Sequence, residues 1–198
     1  MNALDHQLLD AARTGDTDAV RTAIEGGARV DVRDEELRTP LLLAVHGDHV
    51  GAARLLVGAG ADPDAQDSRE ESPWLATGVT GSVAMLRVLL PAGPDLKLRN
   101  RFGGIALIPA CERGHVGYVR ELLATTAIDV DHVNRLGWTA LLEAVILGDG
   151  GRAHQEIVAL LLAAGATPGL PDGDGVTALA HAERRGFTEI AALLRGAR

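Results

Sequence analysis

The chain repeats itself with a period close to 33 residues, and that regularity limits what it can fold into more than any other feature. The segment RTPLLLAV (38–45) returns as ESPWLATG (71–78), GIALIPAC (104–111), WTALLEAV (138–145) and VTALAHAE (176–183). The equivalent positions Thr39, Ser72, Ile105, Thr139 and Thr177 are spaced 33, 33, 34 and 38 residues apart. One period earlier, HQLLDAAR (6–13) places Leu8 where Leu41 stands, which makes six copies. A unit this short cannot bury its own apolar side, so its neighbours must cover it.

The copies share an internal order. A Thr or Ser opens a short helix as N-cap, its side-chain oxygen taking a backbone N–H that the helix leaves unpaired. Four or five residues after a motif alanine comes a Gly-His-like pair, as in ERGHVGYV (112–119), which ends that helix. A second helix follows with paired apolar residues such as Leu122 and Leu123, and GAGADPDAQD (58–67) then breaks it and extends as a turn.

This pattern closely resembles the ankyrin repeat, whose signature is Thr-Pro-Leu-His-x-Ala, then Gly-His, a Val-x-x-Leu-Leu helix and Gly-Ala-Asp. Copy two carries Thr39, Pro40, Leu41, Ala44, His49, Gly60, Ala61 and Asp62. The resemblance implies an all-α solenoid of paired antiparallel helices with β-hairpin-like turns. It forms one domain over 1–198, with copies at about 4–36, 37–69, 70–102, 103–136, 137–174 and 175–198. There are departures. The signature histidine is replaced by Leu42, Leu75, Ile108, Leu142 and Ala180, and Pro109 falls inside a first helix that it is expected to distort or shorten. In copy two 16 residues separate Ala44 from Gly60, whereas in copy five 21 separate Ala144 from Gly165, which reads as a turn lengthened by five residues.

Composition narrows the function classes. No apolar run approaches the roughly 18 residues of a membrane span, and MNALDHQLLD lacks the basic start and apolar stretch of a signal peptide. Cys111 is the only cysteine, so no internal disulfide forms, and a cytoplasmic location is expected. Eighteen arginines against the single Lys97 suggest a GC-rich bacterial genome. Residues 1–72 hold 15 acidic side chains against 7 arginines and carry the whole net charge of −8, which disfavours nucleic acid and would steer a partner with a basic patch toward this end.

Motifs of catalysis and metal binding are weak. The glycines include no GxxxxGK loop, and LGDGGRAH lacks GxGxxG. The stretch PDGDGVTALAHAE (171–183) spaces Asp172, Asp174 and Glu183 somewhat like a calcium loop, but Val176 and Thr177 stand where an oxygen ligand and a glycine are needed. Cys111 and His115 fall at a buried small-residue position and at the repeat's Gly-His position, where the ring ties successive turns together, so a structural role is expected for both. No cofactor or metal is expected.

In ankyrin arrays the resemblance implies a concave recognition surface, formed by the hairpin tips and the open side of each first helix. The matching positions include Arg69, Val79, Arg101, Phe102, Glu112, Arg113, Leu136, Trp138, Ile146, Leu147 and Arg184. Val79, Phe102, Leu136, Trp138, Ile146 and Leu147 make an apolar patch of the kind that marks a binding site, unless the long turn of copy five folds over Ile146 and Leu147. The leading expectation is a non-catalytic module holding a protein partner, such as a regulatory, inhibitory or immunity subunit, with a homodimer through the patch as a variant. The competing expectation is a cofactor-independent enzyme, or a binder of a hydrophobic small molecule, in the same groove. There Glu143 and His181, at equivalent places on neighbouring first helices and with Glu112 one copy away, would supply acid–base chemistry for a lyase or cyclase. The bland alternative is that Glu143 points into solvent.

Overall fold

Each copy becomes two helices joined by a tight turn. The computed structural model describes residues 1–197. These fall into two compact units, the first spanning Met1–Arg101 and the second beginning at Phe102. Unit 1 holds α1 (Ala3–Thr14), α2 (Thr17–Glu25), α3 (Pro40–His46), α4 (Val50–Gly58), α5 (Pro73–Thr80) and α6 (Val83–Leu89), the last followed by a 3₁₀ turn. Unit 2 holds α7 (Leu107–Glu112), α8 (Val116–Thr125), α9 (Ala140–Ile146), α10 (Arg152–Ala163), α11 (Ala178–Arg184) and α12 (Thr188–Gly196). Within each unit the first helices pack in one layer, α1 on α3 on α5 and α7 on α9 on α11. The second helices pack in another, α2 on α4 on α6 and α8 on α10 on α12. Among the described residues there is no strand, only an isolated antiparallel bridge between Pro171 and Thr177.

The expected caps form. The side chains of Thr39, Ser72, Thr139 and Thr177 accept from the backbone N–H three residues on. Copy one differs: α1 starts earlier and is closed by a reciprocal pair in which Asn2 and Asp5 each accept from the other's backbone N–H. Copy four has no such cap, because Ile105 stands at the threonine position, and α7 is only six residues long. Pro109 does not break it. It is the third residue of the helix, in the first turn, where its missing N–H would have had no partner within the helix.

Losing the signature histidine is offset by burial. Leu42, Leu75, Ile108 and Leu142 lie in the core, each contributing roughly 1.5–3 kcal/mol of apolar transfer in place of one polar contact. The Gly-His histidines instead tie neighbouring copies together. His49 Nε2 donates to Arg13 O at 3.1 Å, and His154 Nε2 donates to Glu112 O at 3.0 Å. Arg13 and Glu112 are equivalent positions, at the end of the preceding copy's first helix. In copy six the histidine is replaced by Phe187, and Arg185, which stacks on the Phe187 ring at 4.5 Å, takes over the tie. Its Nη1 donates to Val145 O at 3.0 Å and also to Ile146 O, the equivalent carbonyl of copy five. Arg185, although exposed, is therefore a structural link.

The insertion in copy five is only partly a turn. Helix α10 has twelve residues where α4 has nine, so three of the extra residues extend the helix at its start, and His154 sits within the helix where His49 precedes one. Glycine around these rings is a matter of space. A Cβ at Gly47 would collide with the His49 ring, although the backbone there (φ −84°) suits any residue. We expect Gly47→Ala to cost about 1–3 kcal/mol in urea unfolding by displacing the ring from Arg13 O. In a double-mutant cycle with His49→Ala most of that cost disappears; simple additivity would show that the tie is not what the methyl disturbs.

Candidate functional site

Four hairpin tips, each counted with the copy whose first helix it leads into, are organised by one side chain apiece. In copy two, Asp34 Oδ1 accepts from Glu36 N at 3.0 Å and Arg38 N at 2.8 Å. In copy three, Asp67 Oδ1 accepts from Arg69 N at 2.8 Å and Glu71 N at 2.9 Å. In copy five, Asn134 Oδ1 accepts from Leu136 N at 2.9 Å and Trp138 N at 3.0 Å, and Asp172 does the same for Asp174 and Val176 in copy six. Asp172 is thus occupied as a turn residue, and among the described residues no cluster of His, Cys, Asp or Glu could hold a metal. Tips are linked within each unit as well: Ser68 N donates to Glu36 O, and Arg135 N donates to Phe102 O.

These turns decide which apolar side chains face outward. In unit 2, Phe102 and Leu136 on the tips and Leu147 at the end of α9 are 53%, 55% and 48% exposed. Trp138 and Ile146 are half-buried, and Arg113 and Arg184 are exposed. The long turn of copy five does not close over Leu147: Gly150 packs against Phe187 instead, and Asp149 bonds the N–H of Gly151 and the His154 ring. Of the remaining sequence-derived candidates, Arg69, Val79 and Arg101 belong to unit 1, where Val79 is half-buried and the two arginines are exposed.

The acid–base pair assembles differently from expectation. Glu143 does not point into solvent; it is buried, and its Oε1 accepts from Asn134 Nδ2 at 2.8 Å. His181 Nε2 lies 2.7 Å from Asp172 Oδ2 in its own copy. Each side chain thus turns back to the tip of its own repeat. What Glu143 does meet is Glu112: burial first, and the neighbouring negative charge second, push its carboxyl from 4.5 up to about 7, against the opposing donation from Asn134. Cys111 is fully buried, and burial, with a smaller contribution from Glu143, raises its thiol and leaves it inert. Asn134 is the residue that sequence reasoning missed. Its place in the tip was visible, but not its reach to a helix nine residues on.

Known proteins provide a second line of evidence. The family described as ankyrin repeats (3 copies) matches residues 7–67 and 74–172. The ankyrin repeat protein YahD of Escherichia coli K12 is 45% identical over 186 residues, covering 94% of this chain and 92% of YahD. The crystal structure of an ankyrin repeat domain from Acinetobacter baumannii superposes with a TM-score of 0.92 at 49% identity, covering 96% of both chains. The ankyrin repeat domain of Bcl-3, a member of the IκB family, matches at TM-score 0.84 and 31% identity, over 96% of this chain and 85% of that one.

The position of Glu143 sets the sign of a pH effect. Its folded value lies above the ordinary one, so the folded state holds the proton more tightly, and stability falls as pH rises from 4.5 to about 7. At roughly 1.4 kcal/mol per pH unit, the effect is capped at about 3 kcal/mol. We expect Glu143→Gln to be more stable than the native protein above about pH 7 and to lose that advantage near about pH 5. Denaturant midpoints for both proteins across this range check it, and a pH-independent difference would refute it.

Proposed function

Because this chain belongs to the ankyrin-repeat family, we propose that it is a binding module whose protein partner docks on the tips and first-helix ends of unit 2. Ankyrin repeats are generally protein–protein interaction modules. The observation that carries the location is the exposure of Phe102, Leu136 and Leu147 beside half-buried Trp138. Exposed large apolar side chains favour a partner that removes them from water, and tryptophan is a frequent hot-spot residue. Glu112, Arg113, Ile146 and Arg184 complete this face, and Arg69, Val79 and Arg101 are the corresponding candidates in unit 1.

A regulatory, inhibitory or immunity role fits the charge. Glu35, Glu36 and Glu70 stand exposed at the tips of unit 1, within the acidic segment 1–72. A partner with a basic patch would be steered by this charge, since steering raises the on-rate while apolar burial sets the lifetime.

A second reading draws on Glu143, a buried carboxyl close to neutrality beneath an apolar surface, as a proton-transfer group for a hydrophobic small molecule without a cofactor. The family is typically non-enzymatic, and His181 pairs with Asp172 while Glu143 pairs with Asn134.

Affinity capture with the tagged protein separates the readings. A bound protein is expected, and Trp138→Ala and Phe102→Ala should each weaken it by about tenfold or more. The mass of the native protein then distinguishes a partner from a second copy of the chain or a retained small molecule. Failure to recover any protein that these substitutions release would sink the docking proposal. Unchanged behaviour of Glu143→Gln and His181→Ala would remove the enzymatic one.

A further inference from the structure

The tip of copy five is held by one amide working in two directions. In copies two and six the tip residue is an aspartate, whose second oxygen faces a basic group: Asp34 Oδ2 accepts from Arg38 Nε at 2.8 Å, and Asp172 Oδ2 faces His181. Copy five inverts the pairing, with an amide at the tip and a carboxylate on the helix. The inversion has a consequence. Either oxygen of a carboxylate can accept, whereas an amide has one acceptor and must be oriented. Turned over, Asn134 would aim its NH₂ at the N–H groups of Leu136 and Trp138, donor against donor.

We propose that Glu143 is a positioning residue for the recognition face: its carboxylate holds the Asn134 amide in the orientation that organises the tip carrying Leu136 and Trp138, so the order of that tip follows the charge on Glu143. A hydrogen bond to an ionised acceptor is roughly twice as strong as one to a neutral acceptor, so protonating Glu143 loosens the tie without removing it. The surroundings of α9 place that change near neutrality. On α7, Glu112 opposes ionisation, and Cys111 is buried beside the carboxyl. On α10, His154 is engaged with Glu112 O and Asp149. From the α11 side, His181 is engaged with Asp172, Arg185 is spent on the carbonyls ending α9, and Arg184 is exposed. No cation among these pairs with Glu143. The effect on recognition rests on the docking role proposed above; the tie itself does not.

Solvent-exchange NMR on the full chain, with no partner present, tests the tie. Protection of the Leu136 and Trp138 amides, corrected for the intrinsic pH dependence of exchange, should fall about three- to tenfold from about pH 8 to about pH 6. The Glu36 and Arg38 amides, held by Asp34 in a tip without this helix carboxylate, serve as the control and should stay level. Glu143→Gln keeps an acceptor but no charge, so its profile should lie flat at the low-pH value, and Glu143→Ala should fall below it. Level protection in the native protein, or a titration that survives in Glu143→Gln, would overturn the proposal. Because no partner enters the measurement, a failed capture experiment leaves this result standing, and a flat profile removes the tie even where a partner binds.

Discussion

Burial between neighbours is the constraint on which the structure rests. A two-helix unit of about 33 residues has one apolar stripe per helix and nothing of its own to cover it, so each copy is stable only against the next. Leu41 and Leu42 in one unit and Leu141 and Leu142 in the other are almost completely removed from water by this packing. The polar ties serve alignment more than adhesion. Each joins a ring or guanidinium of one copy to the last carbonyls of the preceding first helix, where a helix leaves its acceptors unpaired. Copy six shows what is essential: Phe187 cannot make the bond, and Arg185 makes it from two residues away. The carbonyl at the helix end has to be met, and the residue that meets it can change.

Side chains outside this contract are released from packing, and the apolar ones among them need another explanation. Phe102, Leu136 and Leu147 are large and apolar, yet each keeps about half of its surface in water. The backbone of Leu136 is held while its side chain is left open, because Asn134 captures its N–H. A rigid backbone presenting free apolar side chains loses little entropy on docking, a favourable arrangement for a recognition surface. The structure thus separates what fixes the tip from what the tip displays.

Much of this could be read from the residues. The period, the Thr and Ser caps, the burial of Cys111 and the tying role of His49 and His154 follow from local chemistry repeated at known spacing. Other features depended on distances that no spacing supplies. Glu143 and His181 are equivalent positions on adjacent helices, which suggested that they meet, but each tip folds back within hydrogen-bonding reach of its own helix, and that short loop wins over the neighbour. The five extra residues of copy five had two possible outcomes, a longer turn or an earlier helix start, and the chain divides them between both. Pro109 was judged by its place in the repeat. In the structure it sits in the first turn of α7, which is one residue shorter than α3.

The buried carboxyl of Glu143 carries opposite signs at two scales. Globally its ionisation is costly, since burial and Glu112 both oppose the charge. Locally the ionised form is the better acceptor for Asn134 and so the better organiser of the tip. A leucine at this position, like Leu43 in copy two, would avoid the cost and leave the amide unoriented. An aspartate at the tip would orient itself but would set a second negative charge against Glu143. Asn134 and Glu143 therefore make sense only as a pair: the amide tolerates the carboxylate, and the carboxylate gives the amide its direction. A domain built for stability alone has no use for that combination. It fits the recognition role proposed for the tip that carries Trp138 and Leu136.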